Sequence, residues 1–146
     1  MRIVLSVVVG ILVAFTVGSV VGTQMVLCSV EEMGLVVSWG MRWSGSWRDI
    51  VGLSTSLLPL MAITLAPAWL LLAWLDRRST LTARASIFAI CGVLCVGLLH
   101  PLLHMVFGVD VYAPARSLAG LAGQGLAGAL GGIVMSSVLG ASRSLQ

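Results

Sequence analysis

His100 and His104 stand four residues apart around Pro101 in the stretch LLHPLLHMVF, which carries no formal charge. On a helix an i, i+4 pair shares one face, the arrangement that lets two imidazoles grip zinc or copper. Such a site needs one or two further ligands, and the nearby acid on that side is Asp110. Cys91 and Cys95 lie on the same run but do not complete the set. At about 100° per residue, with Cys91 as zero, Cys95 falls near 40°, His100 near 180° and His104 near 220°. Thiols and imidazoles therefore face opposite ways, and a proline kink of tens of degrees does not bring them together. Haem is disfavoured for a similar reason, because two axial imidazoles must approach opposite faces of the iron, and the chain has no C-x-x-C-H attachment. No cofactor is expected from this chain alone; a haem or metal at His100 or His104 requires ligands shared with a partner. The alternative for His100 is structural, since Pro101 frees the Gly97 carbonyl and a neutral imidazole can bond to distorted backbone. An ionisable residue at membrane depth is by default a functional candidate, so both readings stand.

Other catalytic signatures are missing. There is no Walker loop, no G-x-S-x-G and no H-E-x-x-H, and Asp49, Asp76 and Asp110 flank apolar runs without entering them. An intramembrane enzyme or proton-coupled pump keeps an acid or nucleophile near the midplane, so a non-enzymatic role is expected. Cys91 and Cys95, in apolar surroundings, read as inert thiols.

The elements that must hold these residues follow from composition. Of 146 residues, 59% are hydrophobic and 9% charged, and the mean hydropathy is +1.10. Soluble domains carry roughly 25% charged residues, so this chain has too little polar surface for water and belongs in a bilayer. All eight basic residues are arginines, giving a formal charge of +3. They are scattered and form no basic run, so no nucleic-acid partner is expected. Three cysteines without paired spacing give no disulfide framework.

Charge-free apolar runs cover residues 3–27, 50–75, 85–107 and 117–140. Each exceeds the roughly 20 residues a helix needs to cross about 30 Å of hydrocarbon. Only structures that bond their own amides survive there, so the expected fold is all-α, a single four-transmembrane-helix bundle over residues 1–146. The first run is longer than the apolar stretch of a signal peptide and is read as retained. A lipoprotein cleavage before Cys28 would want a small residue where Leu27 stands. Arg2, Arg77, Arg78, Arg84 and Arg143 fall on one side, and Arg42, Arg48 and Arg116 on the other. That bias predicts cytoplasmic N and C termini. Glu31, Glu32, Asp49 and Asp110 fall outside and Asp76 inside. Arginine without lysine and abundant Ala and Gly suggest a GC-rich bacterial genome, hence an inner membrane.

The connection over residues 28–49 carries Trp39, Trp43 and Trp47 at spacings of four. Two readings fit: an interfacial helix that lies along the outer leaflet or docks a partner, and an aromatic belt on an irregular loop. Gly40, Ser44, Gly45 and Ser46 weaken the helical one. Trp69 and Trp74 read as anchors at the opposite interface. Pro59 and Pro67 predict a kinked second span.

Lipid gives no hydrophobic reward for helix association, so small residues that let backbones approach must supply it. Gly10, Ala14, Gly18 and Gly22 repeat every four residues in the first span. The fourth span carries two ladders, Ala119, Gly123, Ala127 and Gly131 on one, and Gly120, Gln124, Gly128, Gly132, Ser136 and Gly140 on the other. Two small-residue faces suggest one contact inside the bundle and one with a second subunit. Gln124 reads as an interhelical hydrogen bond. The functional expectation is an accessory, assembly or stabilising subunit of a larger membrane complex, or a homo-oligomer, contacting lipids and other membrane subunits. Its rivals are a small oligomeric transporter or channel lined by His100 and Gln124, and a redox subunit lending a histidine.

Overall fold

The computed structural model describes residues 2–75, 81–108 and 112–144, with no strand among them. Asp76, Arg77, Arg78 and Asp110 lie outside the described residues, as does the side chain of Arg143. The elements are α1 (Arg2–Glu32), α2 (Trp39–Leu53), α3 (Leu57–Leu75), α4 (Leu81–Phe107), a 3₁₀ turn (Ala113–Arg116) and α5 (Leu118–Ser144). Helices α1, α3, α4 and α5 are each long and apolar enough to cross a membrane, and the chain is an all-α multi-pass membrane bundle. Four crossings put the start of α1 and the end of α5 on one side, and α2 and the 3₁₀ turn on the other.

Helix α5 packs along α4 on one flank and α1 on the other, while α3 closes the ring against α1 and α4. Helix α3 contributes a seam of Leu57, Met61, Leu65, Trp69 and Ala73, all buried at four-residue spacing. Val7, Ile11, Ala14, Phe15, Phe88, Val96, Tyr112, Met135 and Leu139 complete the core. Trp69 is fully buried, which corrects its expected role as an interfacial anchor. Its ring wedges into the glycine seam, with Cζ3 2.9 Å from where a Cβ on Gly10 would stand and Cη2 3.1 Å from one on Gly131. Trp74 is exposed.

The second span is shorter than its apolar run. Residues 50–53 finish α2, a turn follows, and α3 begins at Leu57. Hydropathy misses this break because both sides of it are apolar. Pro59 sits in the first turn of α3, ahead of the Leu60 amide, which bonds the Ser56 carbonyl at 3.4 Å. Its missing N–H is one the helix start leaves unpaired anyway, so the kink expected at Pro59 has no cause there. Helix α3 continues through Pro67, and α4 through Pro101.

Both ladders of α5 are consumed inside the chain. A Cβ added to Gly131 would stand 2.6 Å from the Gly10 carbonyl oxygen and 2.8 Å from Ala14 Cβ; one on Gly123 would meet Val21 Cγ1 at 2.8 Å. On the other flank, a Cβ on Gly132 would stand 2.5 Å from the Phe88 carbonyl carbon, and one on Gly128 would stand 2.7 Å from that of Gly92. Gly120 meets Pro114 of the 3₁₀ turn, 2.6 Å from its carbonyl carbon, so it is not a helix–helix contact. Ala127 is fully buried. The expectation that one ladder is left for a second subunit is therefore corrected: Gly123, Ala127 and Gly131 face α1, while in the other ladder Gly128 and Gly132 face α4, Gln124 bonds α1 and Gly120 meets the 3₁₀ turn, and α5 exposes Leu126, Leu130 and Ile133 instead. Substituting leucine at Gly128 and Gly132 would obstruct folding of the chain before it could affect any oligomer.

Gly132→Ala is expected to lower stability by about 1–3 kcal/mol through overpacking. Gly97→Ala, whose Cβ would meet nothing within 4 Å, should be neutral or gain up to about 1 kcal/mol from helix propensity. Unfolding in detergent by heat or denaturant measures both, and equal stability of the two variants would contradict the seam.

Candidate functional site

Polar chemistry collects where α1 ends, beside α2 and the 3₁₀ turn. At 1.5 Å per residue α1 is about 46 Å long against roughly 30 Å of hydrocarbon. Its last turns therefore extend beyond the apolar slab and can afford Thr23, Gln24 and Glu31. Helix α2 docks there. Ser38 caps it, its Oγ accepting from the Met41 amide at 3.3 Å. Arg42, Ser46 and Asp49, at i, i+4 and i+7, form one stripe, and that stripe meets α1. Arg42 Nη1 donates to Gln24 Oε1 at 2.7 Å and Nη2 to Glu31 Oε2 at 2.6 Å. Gln24 Nε2 donates to Ser46 Oγ at 3.0 Å, and Thr23 Oγ1 donates to Asp49 Oδ2 at 2.6 Å. The Glu31 carboxylate raises the Arg42 pKa above its already high ordinary value.

Later residues of α1 pair with earlier ones of α2, so α2 runs back antiparallel along α1 as a hairpin arm. The segment is helical despite Gly40, Ser44, Gly45 and Ser46. Docking outweighs weak propensity, and Gly45 faces α1 at contact distance: a Cβ there would meet Thr23 Cγ2 at 3.4 Å. The expectation of a helix lying along the leaflet is adjusted accordingly. The adjoining face, about 90° round the helix, carries Trp39, Trp43 and Trp47, which are 82%, 78% and 67% exposed. Between the arm and α1 runs a groove of about 310 Å³, walled by these tryptophans, Val20 and Ile50, with Gln24, Arg42 and Ser46 at its floor.

Deeper in the same half lies a buried junction. The Gly18 carbonyl accepts from Gln124 Nε2 at 2.9 Å and from the Tyr112 hydroxyl at 3.3 Å. Gly22 makes this possible, because a Cβ there would stand 2.9 Å from Tyr112 Cζ and 3.0 Å from Pro114 Cγ. Gly18 likewise leaves room for Gln124, whose Oε1 would lie 2.8 Å from an added Cβ. The Tyr112 ring stacks on His100, with centroids 5.4 Å apart and planes at 22°. His100 is 6% exposed and its Nε2 has no hydrogen-bond partner; Ser19 Oγ and Gln124 Oε1 are also buried without one. Burial pushes the Tyr112 hydroxyl up to about 12, with the nearby Asp49 charge adding to the shift and the Gln124 hydrogen bond opposing it.

Gly18, Gly22, Gln124 and His100 thus meet through Tyr112, whereas Gly10, Ala14, Gly128, Gly131 and Gly132 lie in the dry seam. His104 is exposed one turn along α4 from His100. Cys91 and Cys95, with sulfurs 3.9 Å apart, lie two turns deeper. Among the described residues no three of His, Cys, Asp and Glu converge as a metal site. Sequence reasoning missed Tyr112, Ser19, the Thr23–Asp49 bond and Gly92. Tyr112 was findable in one respect, as the chain's single tyrosine in a short connection. Comparisons with protein-family models, curated proteins and solved structures found no match to this chain. The class defined by fold and site is a four-span helical membrane protein with a lateral, tryptophan-faced arm.

Two tests follow, one from the junction and one from the α2 arm. The single tyrosine should ionise near pH 12 in the folded protein, against about 10 for a free phenol, and its ultraviolet absorbance reports this directly. Because burial favours the neutral form, its stabilising contribution is full below about pH 10 and lost as pH rises through the folded pKa. An ordinary titration would place the ring in water. Separately, Arg42→Ala is expected to raise hydrogen exchange across α2 while α4 and α5 keep their protection.

Proposed function

We propose that this chain is a small, non-catalytic accessory subunit of a membrane complex, with the α2 arm as the surface that holds its partner. One observation carries the reading. Helix α2 turns its polar residues inward onto α1 and its three tryptophans outward, the reverse of a soluble surface helix, in which the apolar face turns inward. Tryptophan gives much contact area for few frozen rotors and is enriched at binding hot spots. An anchor in lipid needs only exposed rings, whereas here the rings wall a groove with hydrogen-bonding groups at its floor, a shape suited to a segment of another membrane protein. In this reading the chain sits in a bacterial plasma membrane with the start of α1 and the end of α5 in the cytoplasm. The arginine bias supports that orientation.

A photoreactive residue placed at Trp43 is expected to yield a discrete protein adduct in native membranes, while the same residue at Ile63, exposed on α3, yields lipid adducts only. Lipid adducts from both positions would overturn the proposal.

A further inference from the structure

The groove between the α2 arm and α1 stands at the level where membrane helices end. Val20 and Gln24, which line it, lie about 27 and about 33 Å along α1 from Arg2, astride the far edge of roughly 30 Å of hydrocarbon. Its spare polar capacity is mainly that of donors. Ser46, 6% exposed, accepts from Gln24 Nε2 and has a hydroxyl proton still to give. Arg42 gives one N–H to Gln24 and one to Glu31, with the Cys28 thiol beside it; these do not occupy all five N–H groups of a guanidinium. Trp39, Trp43 and Trp47 add indole N–H groups, which only donate. No acid lines the groove among the described residues.

On the reading of the arm as a partner surface, we infer that this groove receives the C-terminal end of a partner's transmembrane helix, one that crosses the bilayer in the same direction as α1. The last four carbonyls of a helix have no partner within it. They only accept, and together they carry about half a negative charge. Ser46 and Arg42 supply the donors such an end lacks, while the tryptophan rings and Ile50 cover its apolar flank. At about 310 Å³, twice the roughly 150 Å³ of a cavity that takes up benzene, the groove has room for side chains of that last turn. Other contacts match less well. The N-terminus of a helix would set donors against donors. The middle of a span has its carbonyls already bonded, so the buried Ser46 proton would stay without an acceptor, which is unfavourable. A partner's carboxylate would bring a second full negative charge beside Glu31, already 2.6 Å from Arg42, where carbonyl dipoles bring only a partial one.

The test places benzoylphenylalanine at Trp43 in the full chain, irradiates native membranes and maps the adducted residue by mass spectrometry. The adduct is expected within the last turn of a membrane-spanning helix, on the α2 side. Arg42→Lys keeps the charge but loses the planar fork of donors. It should cut the adduct yield about tenfold, in line with a lost charge-assisted contact, while hydrogen exchange across α2 stays as in the parent chain. Ser46→Ala removes the buried donor and leaves the Arg42 bonds to α1 in place, so it gives the same reading if lysine loosens the arm. Arg48→Lys, exposed on α2, should leave the yield unchanged. A protein adduct at a helix N-terminus, in mid-span or in a soluble segment would overturn the helix-end assignment and leave the arm as a partner surface. Full yield from both the Arg42 and the Ser46 variants would do the same. Lipid adducts alone would overturn both.

Discussion

Close approach of helix backbones along α5 is the constraint on which the rest of the structure depends. Between apolar helices in lipid there is no water to expel, so association rests on dispersion at short range and on whatever hydrogen bonds can be made. At Gly131 and Gly132 the neighbouring backbones leave no space for a methyl group. Helix α5 is therefore fixed in rotation by two adjacent seams about 100° apart, one against α1 and one against α4, and its Leu126, Leu130 and Ile133 stripe on the far side is left exposed. Trp69 completes the arrangement from α3, its large ring filling the space that Gly10 and Gly131 leave open.

The seam also governs where polar groups can go. Glycines at 18 and 22 do not serve helix contact in the manner of Gly10. They admit the Gln124 amide and the Tyr112 hydroxyl to the Gly18 carbonyl. A backbone oxygen already inside a helix has a second lone pair, and this bundle uses it twice. Interhelical hydrogen bonds of this sort average only about 0.6 kcal/mol. Their value here is directional, because they hold the 3₁₀ turn and the start of α5 over the end of α1.

Much of this architecture is local and hence legible in sequence. Hydropathy marks the four spans, and the four-residue spacing of Gly10, Ala14, Gly18 and Gly22 marks a packing face. What periodicity cannot supply is the partner of each face. Nothing in the α5 ladders says that both neighbours are in the same chain, and Gly92, the counterpart of Gly128, stands alone among larger residues. The break between α2 and α3 is hidden because Ile50, Val51 and Leu53 continue the apolar run of α3. Trp69 reads as an anchor by position and is core by virtue of glycines about sixty residues away on either side. The candidate site was legible in part for the same reason: His100 and Gln124 stand out as polar residues in apolar runs, while the Tyr112–Gly18 bond joins positions 94 residues apart.

The two halves of the bundle differ in a way that locates function. The half near the start of α1 is filled by Val7, Phe88, Met135 and Leu139, and its buried serines are partnered, Ser6 donating to the Arg2 carbonyl and Ser136 to that of Ile133. The half near α2 holds Ser19, Gln124 and His100, each with a buried polar atom lacking a protein partner. Leaving such groups unpaired is unfavourable by a few kcal/mol each in apolar surroundings, and aliphatic residues of similar size would avoid it. A bundle needing only to hold together would gain by that exchange. The polar atoms, the tryptophan arm and its groove therefore converge on one end for a reason other than folding. The remaining orphan, Trp69 Nε1, sits instead in the glycine seam, where the ring's volume accounts for its presence.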